Sequence, residues 1–250
     1  MPRYRLTLEY DGAGFVGWQR QTNGLAVQQV IEDGVHGFTG ERVTAIAAGR
    51  TDSGVHALAM TVHVDIARDM PPEKIRDALN HHVRPHPVSV LSVEAAGGEF
   101  SARFDCVKRH YLYRILNRAA VPALDKGRVW HVANDLDVAA MNAAAAHLIG
   151  HHDFESFRSA HCQADTAVKT LDTLGAERAG EEVRITCSAR SFLHNQVRIL
   201  TGTLVEVGKG KWTPADVRSA LEARDRSAAG PTAPAHGLYF VRADYPGDRD

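Results

Sequence analysis

VTAIAAGRTDSGVHALAMTVHVDI, residues 43–66, places a polar loop between two strand-like runs. The apolar run 43–48 reads as a strand. Met60, Val62, Val64 and Ile66 alternate with Thr61, His63 and Asp65. That period of two predicts a strand with one face on a core and one toward water. In the loop, 49–56, Gly49 and Gly54 permit a tight backbone path. On the N-terminal side, RYRLTLEY (3–10) alternates as a strand, and Val27, Val30, Ile31, Val35 and Phe38 fall at helical spacing. On the C-terminal side, Pro71 and Pro72 suit a helix's first turn, Ile75, Ala78 and Leu79 continue it, and 88–94 reads as a strand. The order is β-α-β-β-α-β, the ferredoxin-like arrangement.

A similar order follows in the second half. RHYLYRILN (109–117) and 128–132 read as strands. Val138, Met141, Ala145, Leu148 and Ile149 mark a helix, and 167–176 with 182–188 form a hairpin around Gly180. Helices at 192–207 and 214–224 precede a closing strand, LYFVRAD (238–244). The expected fold is α+β: two ferredoxin-like (RRM-like) lobes, residues 1–104 and 105–250, joined near 97–107. Their antiparallel sheets are expected to join around a central active-site cleft. Such sheets are common platforms for RNA, although a fold alone fixes no activity.

Composition excludes several classes. The 250 residues are 44% hydrophobic and 24% charged, in the range of a globular protein. No apolar run reaches a bilayer-spanning length, and the start of the chain lacks a signal-peptide apolar stretch, so a cytoplasmic protein without membrane contact is expected. Cys106, Cys162 and Cys187 stand apart and form neither a disulfide framework nor a thiolate zinc motif. A net charge of −1 argues against binding nucleic acid through overall charge and leaves a local basic face as the available means.

The loop AGRTDSGVHA (48–57) carries Arg50, Asp52, Gly54 and His56. From spacing alone, Asp52 is as well read as the cap of a solvated turn. The longer pattern resembles the active-site segment of the TruA family of tRNA pseudouridine synthases. Further segments match in the same order: EYDGAGFVGWQRQ (9–21), ARFDCVKRHYLYRI (102–115), DFESFR (153–158), SFLHNQVR (191–198) and AGPTAPAHGLYFVRADYP (229–246). The resemblance thus runs nearly end to end. It departs at Gln196, where many relatives carry Met, so packing is expected to differ there while the chemistry does not.

The resemblance implies a cofactor-free, metal-free isomerase that converts uridine to pseudouridine at positions 38, 39 and 40 in the anticodon arm of tRNA, working as a homodimer. It makes Asp52 the catalytic nucleophile. Aspartate, with an ordinary pKa of about 3.9, is ionised at neutral pH; attack on the sugar and a first step as base both remain open. Arg198 would orient Asp52, Tyr111 would stack on the extruded uracil, and Arg50 would brace the displaced base. In a strand, Tyr111 and Tyr113 share a face, and Tyr113 is read as structural. RNA affinity would come from a basic group of Arg103, Lys108, Arg109, His110 and Arg114, with Arg3, Arg5, Arg20, Lys209 and Lys211 as further candidates.

Other chemistries fit less well. The pairs His81–His82 and His151–His152 lack metal-site spacing, and HExxH is absent. The H-x-E and P-C-x-x-C pattern of base deaminases is missing, and GKGK (208–211) has neither GxGxxG nor Walker spacing. The strongest rival is a non-catalytic RNA-binding protein on the same two-lobed sheet.

Overall fold

A computed structural model describes residues 1–160 and 162–248. It is a mixed α+β structure with mostly antiparallel strand pairing, and the chain divides into two compact units. One comprises Met1–Arg109 with the chain from Tyr239 onward; the other is His110–Leu238.

The first unit begins β1 (Arg3–Tyr10), α1 (Val27–Thr39), β2 (Ile46–Ala47), β3 (His56–Asp65), α2 (Pro72–His82) and β4 (Val88–Ala96). β1 lies between β4 and β3, antiparallel to both, and β2 runs antiparallel on β3 with Ile46 opposite His63. The alternating residues Leu6, Leu8, Met60, Val62 and Val64 are buried, as are Val30, Ile31 and Val35 of α1 and Ile75 and Leu79 of α2. Each such aliphatic side chain contributes about 1.5–3 kcal/mol by leaving water.

Two sequence expectations change here. The strand expected over 43–48 is reduced to Ile46–Ala47. The backbone of Ala45 is engaged by α1 instead, its N–H donating to the Glu32 carboxylate and its carbonyl accepting from Gln28. β3 is also not half-solvated, because Thr61 and His63 are buried. The segment before residue 103 covers this face: Ala102 N–H donates to His63 Nδ1 at 3.0 Å, and the Phe100 ring meets the imidazole edge-on. Desolvation, followed by the charge of Arg3, holds His63 below its ordinary pKa, which suits a neutral acceptor.

The second unit holds β5 (Lys108–Asn117, its first two residues in the first unit), β6 (Trp130–Val132), α3 (Val138–Ala145), β7 (Gly150–Asp153), β8 (Val168–Ala179), β9 (Glu182–Ala189), α4 (Gln196–Gly208) and α5 (Pro214–Ala223). The strand order is β5-β9-β8-β7, with β6 parallel on β5. α4 is the core helix: every residue except Arg198 and Glu206 is buried, the pattern of a helix packed on all sides. It starts at Gln196 rather than 192. Asn195 is left-handed (φ 62°), and Gln196 folds back so that its Oε1 accepts from Leu193 N–H at 2.8 Å. α3 stops at Ala145, before Leu148 and Ile149, and the short β7 was not expected.

The closing strand, β10 (Leu238–Asp244), places Tyr239 and Phe240 parallel to His56 and Ala57 of β3. Arg5 pairs with Asp248 and lies 4.6 Å above the Tyr245 ring. These ties group the chain from Tyr239 onward with the first unit, whereas the sequence reading carried the second lobe through to residue 250. Among the described residues, no helix is long and apolar enough to cross a membrane.

Candidate active site

Asp52 sits half-buried at the head of a tight turn, with Val55 N–H donating to the Asp52 carbonyl and Gly54 at φ 79°. The segment 10–18 grips this turn. Gly17 bridges Asp52 in antiparallel fashion, and Trp18 N–H donates to the Thr51 carbonyl at 3.0 Å. The Ser53 hydroxyl donates to the Phe15 carbonyl at 3.0 Å. Tyr10 and Thr51 share a hydroxyl hydrogen bond of 2.8 Å; burial pushes the Tyr10 pKa up, which keeps the phenol neutral. Glycine is required at 17: φ is 112°, and a Cβ would come within 2.6 Å of the Thr51 carbonyl oxygen.

His56 closes the other side of the turn and is only 2% exposed. Its Nδ1 lies 2.9 Å from Gly12 N and 3.0 Å from an Asp11 carboxylate oxygen. The ring stacks on Tyr239 at 4.8 Å. Sequence reasoning gave no role to Tyr10, Gly12, Gly17, Trp18 or Tyr239. The glycine-rich run DGAGFVG (11–17) was the available signal that another backbone approaches there closely.

The second unit holds Tyr111 and Arg198. Tyr111, 9% exposed on β5, meets Phe192 edge to face at 5.1 Å. Tyr113 is fully buried and donates from its hydroxyl to the Pro234 carbonyl at 2.6 Å. Arg198 stands in the first turn of α4, where the helix dipole disfavours a cation. Its Nε donates to the Ala233 carbonyl at 2.7 Å and its Nη1 to Asn195 Oδ1 at 2.9 Å, while Ala233 N–H returns a bond to the Arg198 carbonyl. Asp52 and Arg50 thus share one turn of the first unit, while Tyr111 and Arg198 belong to the second.

The basic candidates separate by partner. Arg3 pairs with Asp65, Arg5 with Asp248, and Arg20 with Glu32 and Asp33. Arg114 pairs with Glu182, and Lys209 and Lys211 with Glu206. The arginine pairs present little net charge to RNA, whereas two lysines on the single Glu206 leave a positive charge over. Arg50 is exposed, and its pKa is lowered first by desolvation and second by the charge of Arg103. Among the described residues, no three His, Cys, Asp or Glu side chains are grouped to hold a metal ion. GKGK ends α4 and turns at Gly210 (φ 70°).

The family model described as tRNA pseudouridine synthase matches residues 7–105 and 144–246. A protein of Rhodospirillum centenum named tRNA pseudouridine synthase A is 60% identical over 98% of this chain and 100% of its own length. Relatives of the same name from Caulobacter vibrioides (56% identical, 98% of this chain, 99% of the relative) and Parvibaculum lavamentivorans (54%, 98% and 100%) align equally fully. The matched regions contain the Asp52 turn, the segment that grips it and the start of α4. On this evidence the chain belongs to the tRNA pseudouridine synthase family.

Proposed function

We propose that this protein isomerises uridine to pseudouridine in tRNA, at positions 38, 39 and 40 of the anticodon arm. Full-length similarity to relatives named tRNA pseudouridine synthase A carries this reading. The reaction breaks the C1′–N1 bond and the C5–H bond. It forms C1′–C5 and N1–H, so no electrons are gained or lost and no cofactor is consumed.

Asp52 supplies the carboxylate, as nucleophile at C1′ or as base toward the ribose. Its rigid turn supports the role, because a reacting group held in place by the fold loses little entropy on reaching its target. Arg198 orients that carboxylate, Tyr111 stacks on the uracil, and Arg50 braces the space the base leaves. The wider reading is of two ferredoxin-like lobes in a cytoplasmic homodimer. The order β4-β1-β3, with β2 beside β3, supports the first lobe.

Purified protein incubated with tRNA tritiated at uracil C5, without metal or cofactor, is expected to release tritium to water. Pseudouridine mapped in the product is expected at positions 38–40. Binding without release would sink the isomerase reading in favour of a non-catalytic RNA-binding protein, and pseudouridine confined to other positions would overturn the anticodon-arm assignment.

A further inference from the structure

Phe104 is the one exposed side chain among the phenylalanines, tyrosines and tryptophans of the described residues, at 76%. A single exposed apolar residue is ordinary, but this one stands on a turn tied at almost every neighbour. Ser101 N–H donates to the Asp105 carboxylate, and Asp105 N–H returns to the Ser101 carbonyl. Ala102 donates to His63 and accepts from the Tyr245 hydroxyl at 2.6 Å. The Arg103 carbonyl accepts from Arg109 Nη2 at 3.0 Å, and Phe104 N–H donates to Ser101 Oγ. A ring on so fixed a turn costs little ordering when something binds it.

Its position is also informative. The Arg109 guanidinium donates from Nε and Nη2 to the Ala48 carbonyl, at 2.9 and 2.6 Å, and from the same Nη2 to Arg103. One side chain therefore joins the Phe104 turn to the residue that opens the AGRTD segment. Arg103 lies 5.5 Å from the Phe104 ring centroid, and its charge is felt at Arg50. Neither Arg50 nor Arg103 forms an ion pair among the described residues, in contrast to Arg3, Arg5, Arg20 and Arg114. An aromatic ring beside the Arg103 guanidinium, with the charge of Arg50 close to that of Arg103, complements an unpaired nucleobase and its phosphates.

We propose that Phe104, supported by Arg103, is a stacking platform for an unpaired base of the RNA, next to the Asp52 turn. This rests on the reading of the chain as a tRNA-modifying enzyme.

The test measures dissociation constants for an anticodon-arm hairpin and for a fully paired duplex of equal length. An Asp52→Asn background keeps the RNA unaltered. Phe104→Ala is expected to raise Kd for the hairpin roughly 5- to 150-fold, the loss of one base–aromatic stack. Phe104→Trp is expected to retain binding, Phe104→Leu to behave as Ala, and duplex binding to stay unchanged. The inference is overturned if Leu binds as well as Phe, if hairpin and duplex weaken equally, or if neither changes. It is equally overturned if Phe104→Ala alters only the chain's self-association, which would make the ring part of a protein interface. Tritium release by the wild type, scored separately, assigns a failure either to this inference or to the reading beneath it.

Discussion

In the first unit, the turn carrying Asp52 is tied mainly through the residues around the aspartate: Thr51, Ser53, Val55 and His56 all bond within the turn or to segment 10–18. In the second, Arg198 makes its own ties, its guanidinium donating to Ala233 and Asn195. The first arrangement fixes the proposed nucleophile by fixing the chain that bears it. The second fixes a charge by saturating part of its donor set, at a helix end that does not favour a cation. Damage to the residues around Asp52 should therefore reach fold and activity together, and damage at the second should fall on activity first.

The largest stability effect is expected at Gly17. Gly17→Ala forces a Cβ onto the Thr51 carbonyl at a φ that L-residues rarely adopt. It should cost about 2–4 kcal/mol in urea unfolding and release the turn as well. His56→Leu comes next: it leaves the Gly12 N–H without its partner and should cost about 1–3 kcal/mol, whereas His56→Asn, which keeps a polar partner, should recover part of the loss.

Arg198→Lys tests the other side of the comparison. Lysine cannot reproduce the forked donation to Ala233 and Asn195. The rate constant kcat should fall about 10- to 100-fold while the thermal midpoint moves little; a parallel collapse of stability would erase the contrast.

The smallest effect belongs to Asp65, at the edge of the first unit. Its hydrogen bonds from Arg3 hold its carboxyl below the usual aspartate range, so the pair's stabilisation is present above that range and lost as pH falls through the lowered value. Because Asp65 is more than a third exposed, the loss should stay below about 1 kcal/mol. Arg3→Ala should remove this part of the acid sensitivity in urea unfolding at pH 5 and pH 3.

The sequence was most informative where a residue's environment is set by its neighbours in the chain. β1 and the hairpin of β8 and β9 were legible because alternation and a turn glycine state them locally. Asp52 and Arg50 stood out only because a ten-residue pattern surrounds them, since an aspartate in a turn is commonplace. The rest depended on contacts far apart in the chain. Nothing periodic indicates that Gly17 bridges Asp52, that Tyr239 stacks on His56, or that Ala102 and Tyr245 cover the second face of β3. The basic group shows the same limit. A charge count put Arg103 and Arg114 together, yet Arg114 is bound to Glu182 and Arg103 forms no ion pair among the described residues.

The most direct measurement compares tritium release from C5-labelled tRNA by the wild type and Asp52→Asn, with urea unfolding of both. Replacing the carboxylate by its neutral isostere should lower release on the order of 10³-fold or more and leave the unfolding midpoint nearly unchanged. Equal release by the two proteins, or a loss that tracks unfolding, would contradict the account that Asp52 is the reacting group on a turn built to hold it.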